Sequence, residues 1–183
     1  MVEVKIIPLG EDFSDASKIR FAVFVKEQNV PQEHEIDEYD KSSYHAVLYE
    51  NEISIACGRL YFTDNIAHIG RVAVLKNYRR KGYATTVCKK LIDLAKSFRK
   101  TEVIMLGAQK YVVELYKKLG FKVVGKEYLD ENIPHFKMIK VIKNSNLNKI
   151  RIRILIIAIL CSLLFILYLY YRRYYVPIRI NNP

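Results

Sequence analysis

The stretch that most constrains this chain runs Gly70-Arg71-Val72-Ala73-Val74-Leu75-Lys76-Asn77-Tyr78-Arg79-Arg80-Lys81-Gly82-Tyr83-Ala84. An apolar, β-branched run stops at Leu75, a basic turn with one glycine follows, and an amphipathic pattern begins at once. That order reads as strand, tight turn, helix N-terminus. The first turn of a helix carries unpaired backbone N–H groups and the positive end of the macrodipole, so it can hold an anion. Arg79, Arg80 and Lys81 add side-chain cations, and Gly82 lets a ligand approach the backbone without a Cβ in the way. The expectation is a pyrophosphate cradle.

The elements around it follow from periodicity. Val2 to Ile7 alternates as a strand. Ser14 is expected to cap a helix whose apolar positions Ala16, Ile19, Ala22 and Val23 carry it to about Gln28. An acidic segment follows, residues 33–40, with Pro31 placed to start a short helix. Tyr44 to Glu50, Ile53 to Phe62 and Ala67 to Leu75 read as a meander of three strands. The helix after the cradle spans about Gly82 to Phe98, with Val87, Leu91, Leu94 and Ala95 on its apolar face. Val103 to Leu106 is a short apolar strand. A helix over Lys110 to Leu119 stops at Gly120, and Phe121 to Leu129 with His135 to Ile142 close a hairpin. The fold class is therefore α/β: a mixed, mostly antiparallel central sheet flanked by helices.

Charge divides the chain. The net charge is +11, yet residues 1–131 carry 21 cations against 19 acids, and no Asp or Glu follows Glu131. A nucleic-acid protein should show its basic stripe on the folded domain, so nucleic acid is not an expected partner. Ile154 to Tyr171 is 18 residues without a charge. As a helix rising about 1.5 Å per residue it would cover about 27 Å, close to a thin bilayer's hydrocarbon core. Basic residues flank both ends, and tyrosines crowd the far one. The expected organisation is a domain over 1–142, a basic linker over 143–153, a transmembrane helix over 154–171 and a short basic tail over 172–183. A single-pass C-terminal membrane anchor, with the domain facing the cytosol, is the expected location. The scattered Cys57, Cys88 and Cys161 fit reduced thiols, and no metal spacing is visible.

Arg79-Arg80-Lys81-Gly82-Tyr83-Ala84 resembles the Q/R-x-x-G-x-G/A motif of the GNAT (Gcn5-related) N-acetyltransferase superfamily. Leu106-Gly107-Ala108-Gln109 and Tyr116-Lys117-Lys118-Leu119-Gly120-Phe121 are similar to that family's fifth strand and its Tyr-then-Gly-Phe signature. The resemblance covers about 2–142. Arg20 to Gln28, with Glu35, Asp37, Asp40 and His45, narrows it to an ElaA- and YjcF-like subgroup that is grouped with glucosamine 6-phosphate N-acetyltransferases. Ala84 stands where the final Gly is commoner.

The resemblance implies acetyl-CoA as donor and no metal. It assigns the pantetheine arm to the backbone of Val72, Ala73 and Val74. It assigns the pyrophosphate to Arg79, Arg80, Lys81, Gly82, Tyr83 and Ala84, with Thr85 as a hydroxyl donor, and gives Gln109 to the cofactor. The implied chemistry is direct attack of a neutral amine on the thioester, with Tyr116 as the acid. Glu27, Asp37, Asp40, His45 and His135 are the candidate bases, and Glu27 and His135 are carried forward. The acidic segment reads either as a solvated loop or as a lure for a cationic amine. The expected acceptor is a small primary amine, most concretely an amino-sugar phosphate such as glucosamine 6-phosphate, with Arg20, Arg59 and Arg71 as cations that could meet the phosphate. The alternatives are a protein or peptide N-acetyltransferase, or a non-catalytic acetyl-CoA-binding membrane scaffold. A homodimer stays open.

Overall fold

The structure is a computed structural model that describes residues 1–142 and, beyond them, Leu163 and Leu164. The chain divides into two compact units, Met1–Lys143 and Asn144–Pro183. In the first, eight strands form one sheet: β1 (Val2–Ile7), β2 (Tyr44–Glu50), β3 (Ile53–Thr63), β4 (Ile66–Val74), β5 (Val103–Gln109), β6 (Lys122–Val123), β7 (Tyr128–Asp130) and β8 (Ile133–Val141). Their spatial order is β1-β2-β3-β4-β5-β8-β6, with β7 also paired to β8. The β1-to-β4 half is an antiparallel meander, β4 and β5 are parallel, and β8 runs antiparallel to β5.

Period-two alternation puts two apolar layers on the two faces of the meander. Val47, Cys57 and Ala73 lie in one cross-strand row. They meet Ala16, Ile19 and Val23 of the first helix. Ala46, Leu48 and Leu60 turn the other way, onto the second helix, α2 (Tyr83–Ser97), through Val87, Leu91 and Ala95. Both faces are thus covered, which is why residues 45–48 are buried in succession. Gly58 marks the closest approach: a Cβ there would stand 2.9 Å from Leu91 Cδ1 and 3.0 Å from Val87 Cγ1.

The first helix begins as α1 (Ser14–Arg20) and continues as a π-helix over Phe21–Glu27, so its extent matches the expected one. Its cap does not. Phe13 stands at the N-cap with no side-chain capping bond, and Asp12 before it accepts the Ser14 amide at 2.9 Å and its hydroxyl at 3.0 Å. The expected strand over Phe121 to Leu129 is broken into β6 and β7, with Gly125 between them at φ 78°. The helix before it is α3 (Val113–Lys118), entered through a 3₁₀ turn over Lys110–Val112.

The expectation of a membrane anchor is corrected. Among the described residues no helix is long and apolar enough to cross a membrane. The expected span over 154–171, with its linker and tail, lies outside the described residues apart from Leu163 and Leu164. The membrane partner and the anchored, cytosol-facing location fall with it. An uncharged run of 18 residues sits at the short end of spanning lengths, and composition alone does not make it a span.

Candidate active site

The site begins where a ladder ends. Parallel pairing of β4 with β5 covers only Ile66↔Val103, Ala67↔Ile104 and His68↔Met105, although β4 runs on to Val74 and β5 to Gln109. The two strands diverge beyond that point. The edge of β4 that faces β5 is therefore without a strand partner from Ile69 onward. A cleft of about 1160 Å³ opens there.

A β-bulge sharpens the divergence. The register between β3 and β4 shifts between Cys57↔Ala73 and Arg59↔Gly70, so Arg71 and Val72 together oppose Gly58. Arg71 takes φ 52°, a left-handed conformation that costs energy for a residue with a Cβ. Its guanidinium holds it there. Nη2 donates to the His34 carbonyl at 3.1 Å and to Asp37 at 3.2 Å, and Nε donates to the Glu35 carbonyl at 3.3 Å.

The cradle lies at the cleft's other end. A 3₁₀ turn over Lys76–Tyr78 leads into Arg79, then Arg80 at φ 64°, then Gly82 at φ 85° as the residue before α2. Two left-handed residues turn the chain so that the first amides of α2 face the cleft without intrahelical acceptors. Arg79, Arg80, Gly82, Tyr83, Ala84 and Thr85 all line the cleft, as do Val72, Ala73 and Val74. Lys81 does not: its ammonium lies 5.4 Å from the Tyr78 ring centroid. Glu27 is also off the cleft wall and faces the cradle from outside, bound to Arg79 Nη2 at 2.7 Å. Arg79 Nε donates in turn to the Val74 carbonyl at 2.9 Å. Gln109 lines the cleft at the end of β5, its amide donating to Gln28 Oε1 at 2.9 Å.

Tyr116 reaches the cleft from α3 and is almost wholly buried. Burial, together with Cys88 beside its hydroxyl, pushes its pKa well above the ordinary phenol value. Cys88 is buried too, and its thiol is pushed up to about 12. His135 on β8 also lines the cleft. Its Nδ1 lies 2.7 Å from the Ile133 carbonyl, which can only accept, so Nδ1 carries the proton. In the neutral ring Nε2 is then the basic nitrogen. Tyr128 stacks on His135 at 5.8 Å, and its hydroxyl occupies the space over Gly107 where a side chain would stand.

Within the acidic segment Glu33 and Glu38 are exposed, whereas Glu35, Asp37 and Asp40 are held by arginines. Arg20, buried in the first helix, binds Glu35 Oε1 at 2.5 Å and Asp40 Oδ1 at 2.6 Å. Arg59 grips Asp37 with both terminal nitrogens, at 2.6 and 2.8 Å, and reaches Asp40 at 2.9 Å. Three arginines therefore neutralise three carboxylates. Burial raises the Glu35 carboxyl. At Asp37 and Asp40 burial also pulls upward, but the arginine hydrogen bonds outweigh it and hold both below the ordinary range. His45 Nε2 donates to the Asp40 carbonyl at 3.0 Å, and the ring lies flat against Phe13 at 4.4 Å. Asp37, Asp40 and His45 thus brace a loop and do not line the cleft. Sequence reasoning missed Tyr61, His68 and Tyr128 on the wall. Period-two alternation along β3 and β4 was the signal that could have found the first two.

A family model described as "Acetyltransferase (GNAT) domain" matches residues 11–142. The chain is 40% identical over 131 residues to the uncharacterized N-acetyltransferase YjcF of Bacillus subtilis (strain 168), covering 71% of this chain and 93% of that one. The crystal structure of Escherichia coli ElaA superposes with a TM-score of 0.70 at 27% identity, covering 76% of this chain and 99% of that one. A GNAT family acetyltransferase from Elizabethkingia anophelis, solved with acetyl-CoA bound, shares the fold at a TM-score of 0.58 and 16% identity, covering 77% of this chain and 98% of that one.

Proposed function

Because the chain belongs to the GNAT acetyltransferase family, we propose that it moves the acetyl group of acetyl-CoA to a small primary amine in the β4–β5 cleft. The observation that carries this reading is the early end of the β4–β5 ladder beside an N-terminus of α2 opened by Gly82. An extended pantetheine arm can add to the free edge of β4 at Val72 to Val74, as a strand adds to a sheet edge. The pyrophosphate then falls on the amides of Gly82 to Thr85, with Arg79 and Arg80 alongside. The relative solved with acetyl-CoA supports the choice of donor.

In the reaction His135 Nε2 takes a proton from the ammonium, directly or through one water. The free amine attacks the thioester carbonyl, forming the C–N bond. The oxyanion is met by backbone N–H groups near Val72 to Val74. Collapse breaks the C–S bond, and the departing thiolate receives the Tyr116 proton once the hydroxyl turns from Cys88 to the CoA sulfur. A strongly raised pKa keeps that proton on Tyr116 at working pH, so the donor is always present.

The small acceptor is favoured by the cleft mouth. His34 Nδ1 and Glu131 Oε1 lie 2.9 Å apart, tying the 31–40 segment to the β7–β8 turn. A mouth narrowed by that bridge suits a small acceptor better than a through-running peptide. The amino-sugar phosphate expected from the subgroup finds less support, since Arg20, Arg59 and Arg71 are each engaged by carboxylates.

The test is calorimetry with acetyl-CoA followed by thiol release across a panel of amines. Tight binding of acetyl-CoA with no thiol release from any amine would sink the enzymatic reading. Tyr116→Phe should cut kcat by about 100- to 10,000-fold, in the range of a single acid–base group, and leave the acetyl-CoA dissociation constant within about twofold. Unchanged turnover would remove the acid assignment.

A further inference from the structure

The acceptor end of the cleft has a chemistry of its own. It lies on the face of the sheet opposite α2 and α3. Along β5, Ile104, Leu106 and Ala108 are buried toward those helices, Leu106 still reaching the cleft wall, while Met105, Gly107 and Gln109 turn to the cleft. Gly107 has no side chain, and the Tyr128 hydroxyl stands in the space that one would take.

Aromatic rings stand on both sides of this strand. From β3 and β4 come Tyr61 and His68, stacked at 4.7 Å and 12°. Tyr39 extends the stack from the 31–40 segment at 4.6 Å, and Arg59 backs Tyr61 at 5.4 Å. From β7 and β8 come Tyr128 and His135. Tyr128 is held over β5 because position 107 is glycine: an added Cβ would stand 2.6 Å from its hydroxyl. Asp130 and Glu131 follow on the rim of the same cleft.

Charge tells against an anionic acceptor body. The three arginines beside this face are matched by Glu35, Asp37 and Asp40, so the network offers no net positive charge. Lys137 lines the cleft near His68, whose pKa it lowers, but that one cation stands against the two carboxylates of the rim. An ammonium is attracted to those carboxylates and to aromatic faces, and a flat ring is accommodated between aromatic walls.

Resting on the acetyltransferase reading, we infer that the acceptor subsite selects a primary amine carried on a flat aromatic body, an arylalkylamine, over a phosphorylated amino sugar. The walls Tyr61–His68 and Tyr128–His135 take the ring, and the ammonium is delivered to His135 Nε2.

The experiment compares kcat/KM for tyramine, n-butylamine and glucosamine 6-phosphate at saturating acetyl-CoA, with tyramine binding to the CoA-loaded protein measured separately by calorimetry. Two ring contacts of ordinary strength predict a preference for tyramine over butylamine of about 10- to 100-fold. Tyr128→Leu, at a residue 40% exposed and so tolerant of change, should shrink that ratio about tenfold and weaken tyramine binding. Preference for glucosamine 6-phosphate, or a tyramine-to-butylamine ratio near one, overturns the inference while leaving the acetyltransferase reading intact. Ring-dependent tyramine binding that Tyr128→Leu weakens, with no thiol release from any amine, supports the subsite and overturns the catalytic reading instead. No tyramine binding to the CoA-loaded protein overturns the inference outright.

Discussion

Two charged runs of this chain look alike on paper and do opposite work. The acidic run 33–40 has its three key carboxylates, Glu35, Asp37 and Asp40, consumed by Arg20, Arg59 and Arg71. The basic run 79–81 is largely exposed: Arg79 is held by Glu27 and Lys81 lies off the cleft, but Arg79 and Arg80 line the cleft beside helix amides with no partner in the helix. A charge that the fold has already paired is scaffold. A charge left beside unpaired donors on a cleft wall is a place for a ligand. The acidic run joins the first helix, β3 and the β4 bulge into one unit, and that unit holds the bulge open for the basic run to be useful.

The largest expected effect comes from breaking the scaffold. Arg20→Leu leaves Glu35 and Asp40 buried without their main partner. Losing one side of a buried pair costs about 3–5 kcal/mol. Urea denaturation of this variant should show that loss; a change below about 1 kcal/mol would mean the network is incidental. Breaking the cradle should be milder and local. Gly82 sits at φ 85° with nothing within 4 Å of the point where a methyl group would stand, so Gly82→Ala meets no clash and costs only its backbone conformation. A left-handed residue costs about 1–2 kcal/mol. Acetyl-CoA affinity should fall by about tenfold or somewhat more, with less effect on unfolding than Arg20→Leu; unaltered affinity would separate the turn from cofactor binding.

The smallest effect is a pH dependence of the scaffold. Burial is the main cause that lowers the His45 pKa below 6.5, and nearby Arg20 and Arg59 add to it. The unfolded chain therefore takes up a proton on falling through pH 6.5 that the folded protein resists. Stability from this site is complete above 6.5 and is lost as pH drops below it. His68, lowered by burial and by Lys137, acts with the same sign. Asp37 and Asp40 continue the trend below 3.8. Glu35, raised by burial, opposes it: its contribution is full below 4.5 and declines as pH rises through its folded value. Thermal melts between pH 8 and 5 should decline toward acid, and His45→Gln should flatten part of that slope while its amide still donates to Asp40. Superimposable slopes would remove His45 from the account.

The element order and the cradle were legible because their signals are local. Alternation, helical period and a glycine that must turn left-handed are written within a dozen residues, and Gly82 and α2 lie where those signals put them. The role of the acidic run was not legible. Its partners come from residues 20, 59 and 71, and only folding brings them within 3.3 Å. The same holds for Glu27, which reads as a plausible base beside an apolar helix but is turned to Arg79.

The sequence by itself determined an α/β chain with a basic, glycine-containing turn between a strand and a helix, because backbone conformation follows from neighbouring residues. Tertiary structure decided what the turn serves. It ended the β4–β5 ladder at His68, bulged β4 at Arg71, and set Tyr128 over Gly107. Each of these depends on strand register and on burial of paired charge, quantities that exist only once distant segments have met.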